Sequence, residues 1–222
     1  MRWGWPFLLY VGVAIVHLVQ LGTGLPGKDV TKPLLMAALL IAVLLVALVT
    51  ARGIVATRRG VLALVLLCAG IAFSLAGDVL LGSSFLAGLG SFAAAHLAYI
   101  ALTIGPARTR RLPWWTLAYA VWVGLLCIVL WPHLGDLAIP VVVYGVVLAG
   151  TAATAAGVNA ITAVGGLLFL ASDSLLAFRL FWPDFGAVFP DPWQDLAIMT
   201  LYCLGEGLIA FGVMRSFNPR RR

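Results

Sequence analysis

Apolar residues follow one another in eight long blocks along this chain, and short breaks rich in polar residues, glycine or proline separate the blocks. Each block has about 20 residues, the length that an α-helix needs to cross a lipid bilayer. The pattern predicts an all-α, polytopic membrane protein, in which a bundle of eight transmembrane helices forms a single integral membrane domain over residues 1–222. The predicted spans are residues 3–22, 33–51, 60–82, 85–104, 113–131, 137–156, 161–181 and 194–215.

The breaks between the blocks carry signals for helix ends. Pro33, Pro113 and Pro192 stand at or just before predicted helix starts, where the missing backbone N–H of proline is harmless. The breaks at residues 82–84 and 157–159 are short, so the helices on either side of each break are expected to be antiparallel neighbours.

The composition agrees with a membrane protein. The 222 residues are 63% hydrophobic and 10% charged, with a mean hydropathy of +1.10. A soluble domain has about 25% charged residues, so no soluble domain is expected between the blocks. The net charge of +6 does not indicate a nucleic-acid partner, because the basic residues lie in short loops and at the termini.

The distribution of basic residues predicts the topology. Basic residues in short loops favour the cytoplasmic side, and an N-terminus in the cytoplasm places most of them there. With both termini cytoplasmic, the outer side holds only Lys28, Lys32 and Arg179 together with the acids Asp29, Asp136, Asp184, Asp191 and Asp195. The inner side holds Arg2, Arg52, Arg58, Arg59, Arg108, Arg110, Arg111, Arg215, Arg220, Arg221 and Arg222.

Two of the blocks contain a carboxylate in the same local pattern. Asp78 and Asp173 both occur in the motif Leu-Ala-x-Asp-x-Leu-Leu, on spans 3 and 7. An acid inside the bilayer costs about 3 kcal/mol or more, depending on its depth. Two acids in matching settings therefore indicate a functional pair, and the structural alternative is a hydrogen-bond hub between helices.

Other polar side chains lie in the predicted spans, mainly toward the outer side. Lys32 stands at the outer start of span 2, and Tyr144 lies in the outer half of span 6. His96 lies near the middle of span 4 with Tyr99 one turn further on, and Glu206 lies past the middle of span 8. We expect a polar pocket inside the bundle that opens toward the outer leaflet or the outer aqueous side.

Each of these groups also has a structural interpretation. His96 on an apolar helix suits a hydrogen-bonded core histidine as well as a functional one. Tyr99 and Tyr202 suit core or interfacial positions, and Lys32 suits a side chain that extends to the outer surface. His17, toward the outer end of span 1, is interpreted as structural or interfacial.

Two buried carboxyl groups in one pocket suit general acid–base hydrolysis. Burial favours the neutral acid, and a second carboxylate nearby favours it further, so that one aspartic acid keeps its proton while the other is ionised. No nucleophile elbow, zinc-binding HExxH motif or phosphate-binding glycine loop occurs, and Cys68, Cys127 and Cys203 stand singly. No metal or other cofactor is predicted, and the residues alone define no substrate.

Several short motifs occur in a specific order along nearly the whole chain. They are Thr31-Lys32-Pro33, Ser74-Leu-Ala-Gly-Asp78-Val-Leu-Leu81, Phe92-x-x-x-His96-Leu-Ala-Tyr99, Tyr144, Gly165-Gly-Leu-Leu-Phe169-Leu-Ala-Ser172-Asp173-Ser174 and Tyr202. In these motifs the chain resembles the YhhN-like transmembrane lysoplasmalogenase family. The chain has Glu206 where that family often has a glutamine, which leaves the substrate preference open.

The resemblance implies an enzyme that hydrolyses the vinyl ether bond of lysoplasmalogens to a fatty aldehyde and glycerophosphoethanolamine or glycerophosphocholine. Asp78 and Asp173 would be catalytic, and the deeper Asp173 is the better candidate for the protonated acid. Lys32 would attract the phosphate of the lysophospholipid, while His96 and Tyr99 would orient an aspartate or the water. The supporting or substrate-binding residues would be Lys32, His96, Tyr99, Tyr144, Ser172, Tyr202 and Glu206. We expect a multi-pass protein of the bacterial plasma membrane, in contact with membrane lipids.

Three other functions use the same features. A proton-coupled transporter or binding protein for lipids or small molecules would use the two acids to bind protons or a head group. An intramembrane aspartyl protease would share the Gly-Asp pair at residues 77–78, but its second aspartate would not stand between two serines. A purely structural membrane subunit would tolerate asparagine at both Asp78 and Asp173.

Overall fold

The computed structural model describes residues 4–50 and 54–217, and within these residues the chain is all-helical, as predicted. Arg2, Arg52 and residues 220–222, which enter the topology prediction, lie outside the described residues, as do the start of the first predicted span and the end of the second. The helices are α1 Phe7–Thr23, α2 Lys28–Val49, α3 Arg58–Leu80, α4 Phe85–Ile104, α5 Leu117–Leu134, α6 Ala138–Ala155, α7 Ala160–Phe181, the short α8 Phe185–Val188, and α9 Trp193–Ser216.

The helix ends follow from local side-chain chemistry. Ser84 and Asn159 cap α4 and α7, because their side-chain oxygens accept hydrogen bonds from backbone N–H groups in the first turn. Pro113 and Pro192 stand directly before helical segments, as predicted. The prediction for Pro33 is wrong, since α2 begins at Lys28 and the proline lies inside the helix.

Six helical stretches of the described residues are long and apolar enough to cross a membrane. Five of them are the single helices α2, α3, α4, α7 and α9. The sixth stretch, Trp114–Ala155, has 42 residues and contains both α5 and α6, with a break at Gly135. Helix α1 is apolar but has only 17 residues. The composition and length of these helices fit a multi-pass membrane protein.

The helices form a closed series of neighbours. Each of α1, α2 and α3 packs against the next helix in the chain, α4 packs against α6, α6 against α7, and α7 against α9, which returns to α1 and α2. Helix α5 packs on α6 and α7. The short breaks predicted to join neighbouring helices do so, since α3 contacts α4 and α6 contacts α7.

Helices α7 and α9 make the most extensive contact, and glycine permits their close approach. A Cβ atom at Gly165 would lie 2.8 Å from the backbone nitrogen of Ile209, and one at Gly205 would lie 2.9 Å from the backbone nitrogen of Phe169. Small residues allow such backbone contact between membrane helices. This packing fixes the α7 aspartate, Asp173, relative to the polar residues of α9.

Candidate active site

A cavity of about 290 Å³ lies between the helices, and all eight long helices contribute to its walls. Most of the lining is apolar. Six of the residues predicted from the sequence border it, namely Lys32, Asp78, Tyr144, Ser172, Asp173 and Tyr202. The structure thus brings both motif aspartates to one space, although they are 95 positions apart in the chain.

Asp78 on α3 has both carboxylate oxygens engaged. Its Oδ2 accepts a hydrogen bond of 2.9 Å from the hydroxyl of Tyr202 on α9. Its Oδ1 lies 3.6 Å from Nζ of Lys32, whose side chain is 34% exposed while that of Asp78 is 3% exposed. The ammonium group therefore faces the more open part of the site and stabilises the ionised form of Asp78.

Asp173 on α7 has a different set of partners. The hydroxyl of Tyr144 on α6 donates a short hydrogen bond to its Oδ2. Nε2 of His96 on α4 lies 3.2 Å from the same hydroxyl and 4.0 Å from Oδ2. Within the described residues, Oδ1 of Asp173 has no hydrogen-bond partner and no Lys or Arg lies in ion-pair range, so this carboxyl group lacks the counterion that Asp78 has.

One buried aromatic side chain contacts a neighbour of each aspartate. The ring of Phe169 packs edge-on against His96 at 4.7 Å and against Tyr202 at 5.5 Å between centroids. Phe169 is 1% exposed, so it does not change position easily in the packed interior. Phe169 thus packs against one neighbour of each aspartate, His96 beside Asp173 and Tyr202 beside Asp78.

Ser172 borders the cavity, but its hydroxyl is used inside the protein. It donates a hydrogen bond of 2.9 Å to the backbone oxygen of Ile198 and so joins α7 to α9. The contact supports the position of Asp173, the next residue in the chain.

Glu206 and Tyr99 belong to a separate buried cluster. Glu206 accepts hydrogen bonds of 2.7 Å from the hydroxyl of Ser74 and 2.6 Å from that of Tyr99. Neither Glu206 nor Tyr99 borders the cavity. The resemblance implied that Tyr99 would orient an aspartate or the water. In the structure, Tyr99 contacts Glu206 instead. Ser74 and Glu206 each lie one helical turn further from the charged end of the cavity than the cavity residues Asp78 and Tyr202.

We predict that Tyr99→Phe destabilises the protein. The change leaves one oxygen of the buried Glu206 without a donor, which costs about 1–3 kcal/mol. Thermal unfolding in detergent measures the effect. Tyr119→Phe is the matched control, because it makes the same chemical change and the described residues provide no hydrogen-bond partner that the Tyr119 hydroxyl would lose. Equal melting temperatures for the two variants would contradict the prediction.

Charged residues surround one end of the cavity. Lys28, Asp29 and Lys32 come from the first turns of α2, and Arg179 at the end of α7 forms an ion pair with Asp195 at the start of α9. From the sequence, these residues apart from Lys32 are placed on the outer side but are not predicted to border the site. Their positions at the outer ends of neighbouring antiparallel spans are the signal that could have predicted this rim. A polar rim thus leads into an apolar interior.

The site shows no arrangement for a metal ion. Among residues 4–50 and 54–217, no group of three or more His, Cys, Asp and Glu side chains is placed to bind one. Around the two motif aspartates, the site offers two carboxyl groups in unlike surroundings, the hydroxyls of Tyr144 and Tyr202, and the side chains of His96 and Lys32.

Comparisons with known proteins identify relatives of this chain. The lysoplasmalogenase of Mycobacterium tuberculosis is 36% identical over 196 residues, which cover 80% of this chain and 71% of that protein. The protein of the same name from Mycobacterium bovis gives the same values. Lysoplasmalogenase TMEM86B of Homo sapiens is 32% identical over 139 residues, or 62% of this chain and 58% of that protein. No solved structure matches. The YhhN family matches residues 27–213, which make up most of this chain, and the chain belongs to that family.

Proposed function

We propose that this protein hydrolyses the vinyl ether bond of lysoplasmalogens and releases a fatty aldehyde and glycerophosphoethanolamine or glycerophosphocholine. The names of its mycobacterial and human relatives support this substrate. The observation that carries the proposal is the pair of aspartates in one apolar cavity, of which only Asp78 has a lysine as its partner.

The different partners of the two aspartates indicate which one is ionised and which one holds a proton. Lys32 keeps Asp78 ionised, whereas the buried Asp173 lies among neutral groups and holds a proton. Tyr144 donates to Oδ2 of Asp173, which leaves Oδ1 to carry the proton toward the cavity. His96, next to Tyr144, fixes the position of that tyrosine.

The first chemical step is a proton transfer to carbon. The Asp173 carboxylic acid protonates the β-carbon of the vinyl ether, whose π electrons form the new C–H bond. The positive charge that develops is shared by the α-carbon and the ether oxygen. The Asp78 carboxylate stabilises this oxocarbenium ion electrostatically, in a site where water screens the charges poorly.

Water completes the reaction. It adds to the α-carbon and gives one proton to the Asp173 carboxylate, which restores the acid. The hemiacetal then loses its hydroxyl proton as the C–O bond to glycerol breaks and the glycerol oxygen takes up a proton. The balance is one vinyl ether and one water consumed, with one aldehyde and one alcohol formed.

The shape of the site suits a lipid with one chain. The apolar walls would hold the hydrocarbon chain, and the exposed ammonium of Lys32 would attract the phosphate at the charged rim.

We also infer that the chain crosses the plasma membrane of a bacterium eight times, with both termini in the cytoplasm. The stretch Trp114–Ala155 has 42 residues, about twice the length of one crossing, and its two helices pack against each other. The excess of basic residues on the inner side supports the orientation. A reporter fused to the C-terminus that is active outside the cell instead of inside would contradict it.

The direct test of the function is fatty-aldehyde release by the purified protein in detergent. We expect release from a lysoplasmalogen but none from the matching lysolipid with a saturated ether bond, which cannot be protonated in this way. A folded sample that releases no aldehyde from any lysoplasmalogen would refute the proposed function.

A further inference from the structure

His17 on α1 borders the cavity and has an unused ring nitrogen. The residue is 2% exposed. Its Nδ1 lies 2.8 Å from the hydroxyl oxygen of Thr31 on α2. Its Nε2 is buried and has no hydrogen-bond partner within the described part of the chain. From the sequence, His17 is interpreted as structural or interfacial, and only one of its two nitrogens has a partner within the protein.

The surroundings of Thr31 determine which nitrogen carries the proton. The Thr31 hydroxyl has a single hydrogen, and its other neighbours are acceptors: Oε1 of Gln20 at 2.6 Å and two backbone oxygens at 3.2 and 3.3 Å. The amide of Gln20 is oriented by Nε2, which donates to the backbone oxygen of Pro26. Thr31 therefore donates to an acceptor and accepts from His17, so Nδ1 of the neutral imidazole is protonated and Nε2 has a free lone pair.

A buried acceptor without a donor is unfavourable. Because His17 borders the cavity, a molecule bound there can supply the missing donor. The unpaired nitrogen thus indicates a ligand group with an N–H or O–H, placed at the side of the cavity formed by α1 and α2.

The charges near His17 favour a neutral donor. Lys32 and Lys28 act on the ring electrostatically against a positive charge at this point, whereas the carboxylate of Asp195 acts in the opposite direction. A cationic head group has better partners in the carboxylates of Asp29 and Asp195, which also border the cavity. A hydroxyl group is therefore the better match for Nε2.

We propose that Nε2 of His17 accepts a hydrogen bond from the free sn-2 hydroxyl of a lysophospholipid, which makes His17 a specificity-determining residue for lysolipids. The inference rests on the proposed function for the identity of the ligand. In such a lipid the sn-2 hydroxyl lies between the phosphate, which Lys32 attracts, and the sn-1 ether bond, which lies at the aspartates. A lipid with an acyl chain at sn-2 has no hydroxyl to donate and fills the space with an ester.

The test compares two substrates in two proteins. The substrates are a lysoplasmalogen and its 2-deoxy analogue, and the proteins are the wild type and His17→Phe, which keeps a ring of similar size. We expect the wild type to prefer the hydroxyl-bearing substrate by about tenfold in kcat/KM, the effect of one hydrogen bond. In His17→Phe, both substrates should react with equal kcat/KM, at the value that the wild type shows for the 2-deoxy analogue. A preference that persists in the variant would overturn the proposal, as would its absence from the wild type.

A binding measurement separates this inference from the proposed function. Titration of the wild-type protein with a saturated ether lysolipid and its 2-deoxy analogue requires no turnover and no variant. About tenfold tighter binding of the hydroxyl-bearing lipid supports the role of His17 even if no vinyl ether is cleaved. Equal binding of the two lipids would overturn it, even if aldehyde release is observed.

Discussion

Asp173→Asn is expected to lower aldehyde release about a thousandfold or more, because the amide cannot give a proton to the β-carbon of the vinyl ether. The amide oxygen still accepts the hydrogen bond from Tyr144, so the shape of the site is kept. Asp173 has no lysine or arginine partner in the described structure, and the substitution exchanges a neutral carboxylic acid for a neutral amide of similar shape, so no ion pair is lost. We therefore expect the variant to fold and to melt near the temperature of the wild type.

Initial rates of aldehyde formation, measured at equal amounts of monodisperse protein, check this expectation. Asp136→Asn is the matched control, because it makes the same chemical change at an exposed position outside the cavity lining. A rate for Asp173→Asn within tenfold of the wild type would exclude Asp173 as the acid. A loss of activity that accompanies a lower melting temperature would also contradict the argument, since it would indicate a structural role.

Much of the fold could be predicted because the bilayer allows few solutions. Backbone polar groups in lipid must be paired within the segment, so long apolar blocks must be helices. The long helices consequently begin and end near the breaks in the apolar pattern. Pro33 was placed wrongly because the helix starts at Lys28, five residues before the apolar block, in a polar stretch without an apolar pattern.

The partners of the buried polar groups were harder to predict. The sequence gives the approximate depth of Asp78, Asp173 and Glu206 along their spans, but it does not show which helices face one another at each depth. In the structure, Tyr202 faces Asp78, and one turn further along α9 Glu206 faces Ser74 and Tyr99. A single helical turn thus decides whether an acid borders the cavity.

His17 shows a second limit of sequence reasoning. A lone histidine on an apolar helix is most simply interpreted as a core residue, and its Nδ1 does have a structural partner. Only the three-dimensional network of Thr31 and Gln20 shows that Nε2 keeps a free lone pair. The substrate itself came from resemblance to a family, because two carboxyl groups in a cavity are compatible with more than one reaction.

Asp78→Asn is expected to lower kcat about a hundredfold or more, since the variant loses the negative charge that stabilises the oxocarbenium ion. The protein should fold, because Tyr202 can still donate to the amide oxygen and the released Lys32 is exposed enough to stay hydrated. With its ion pair removed, Lys32 keeps its full charge for the phosphate, so KM should not rise. A loss of rate through kcat alone separates stabilisation of the charged intermediate from substrate binding. A raised KM with an unchanged kcat would instead place Asp78 in the binding of the head group and would refute the division of roles between the two aspartates.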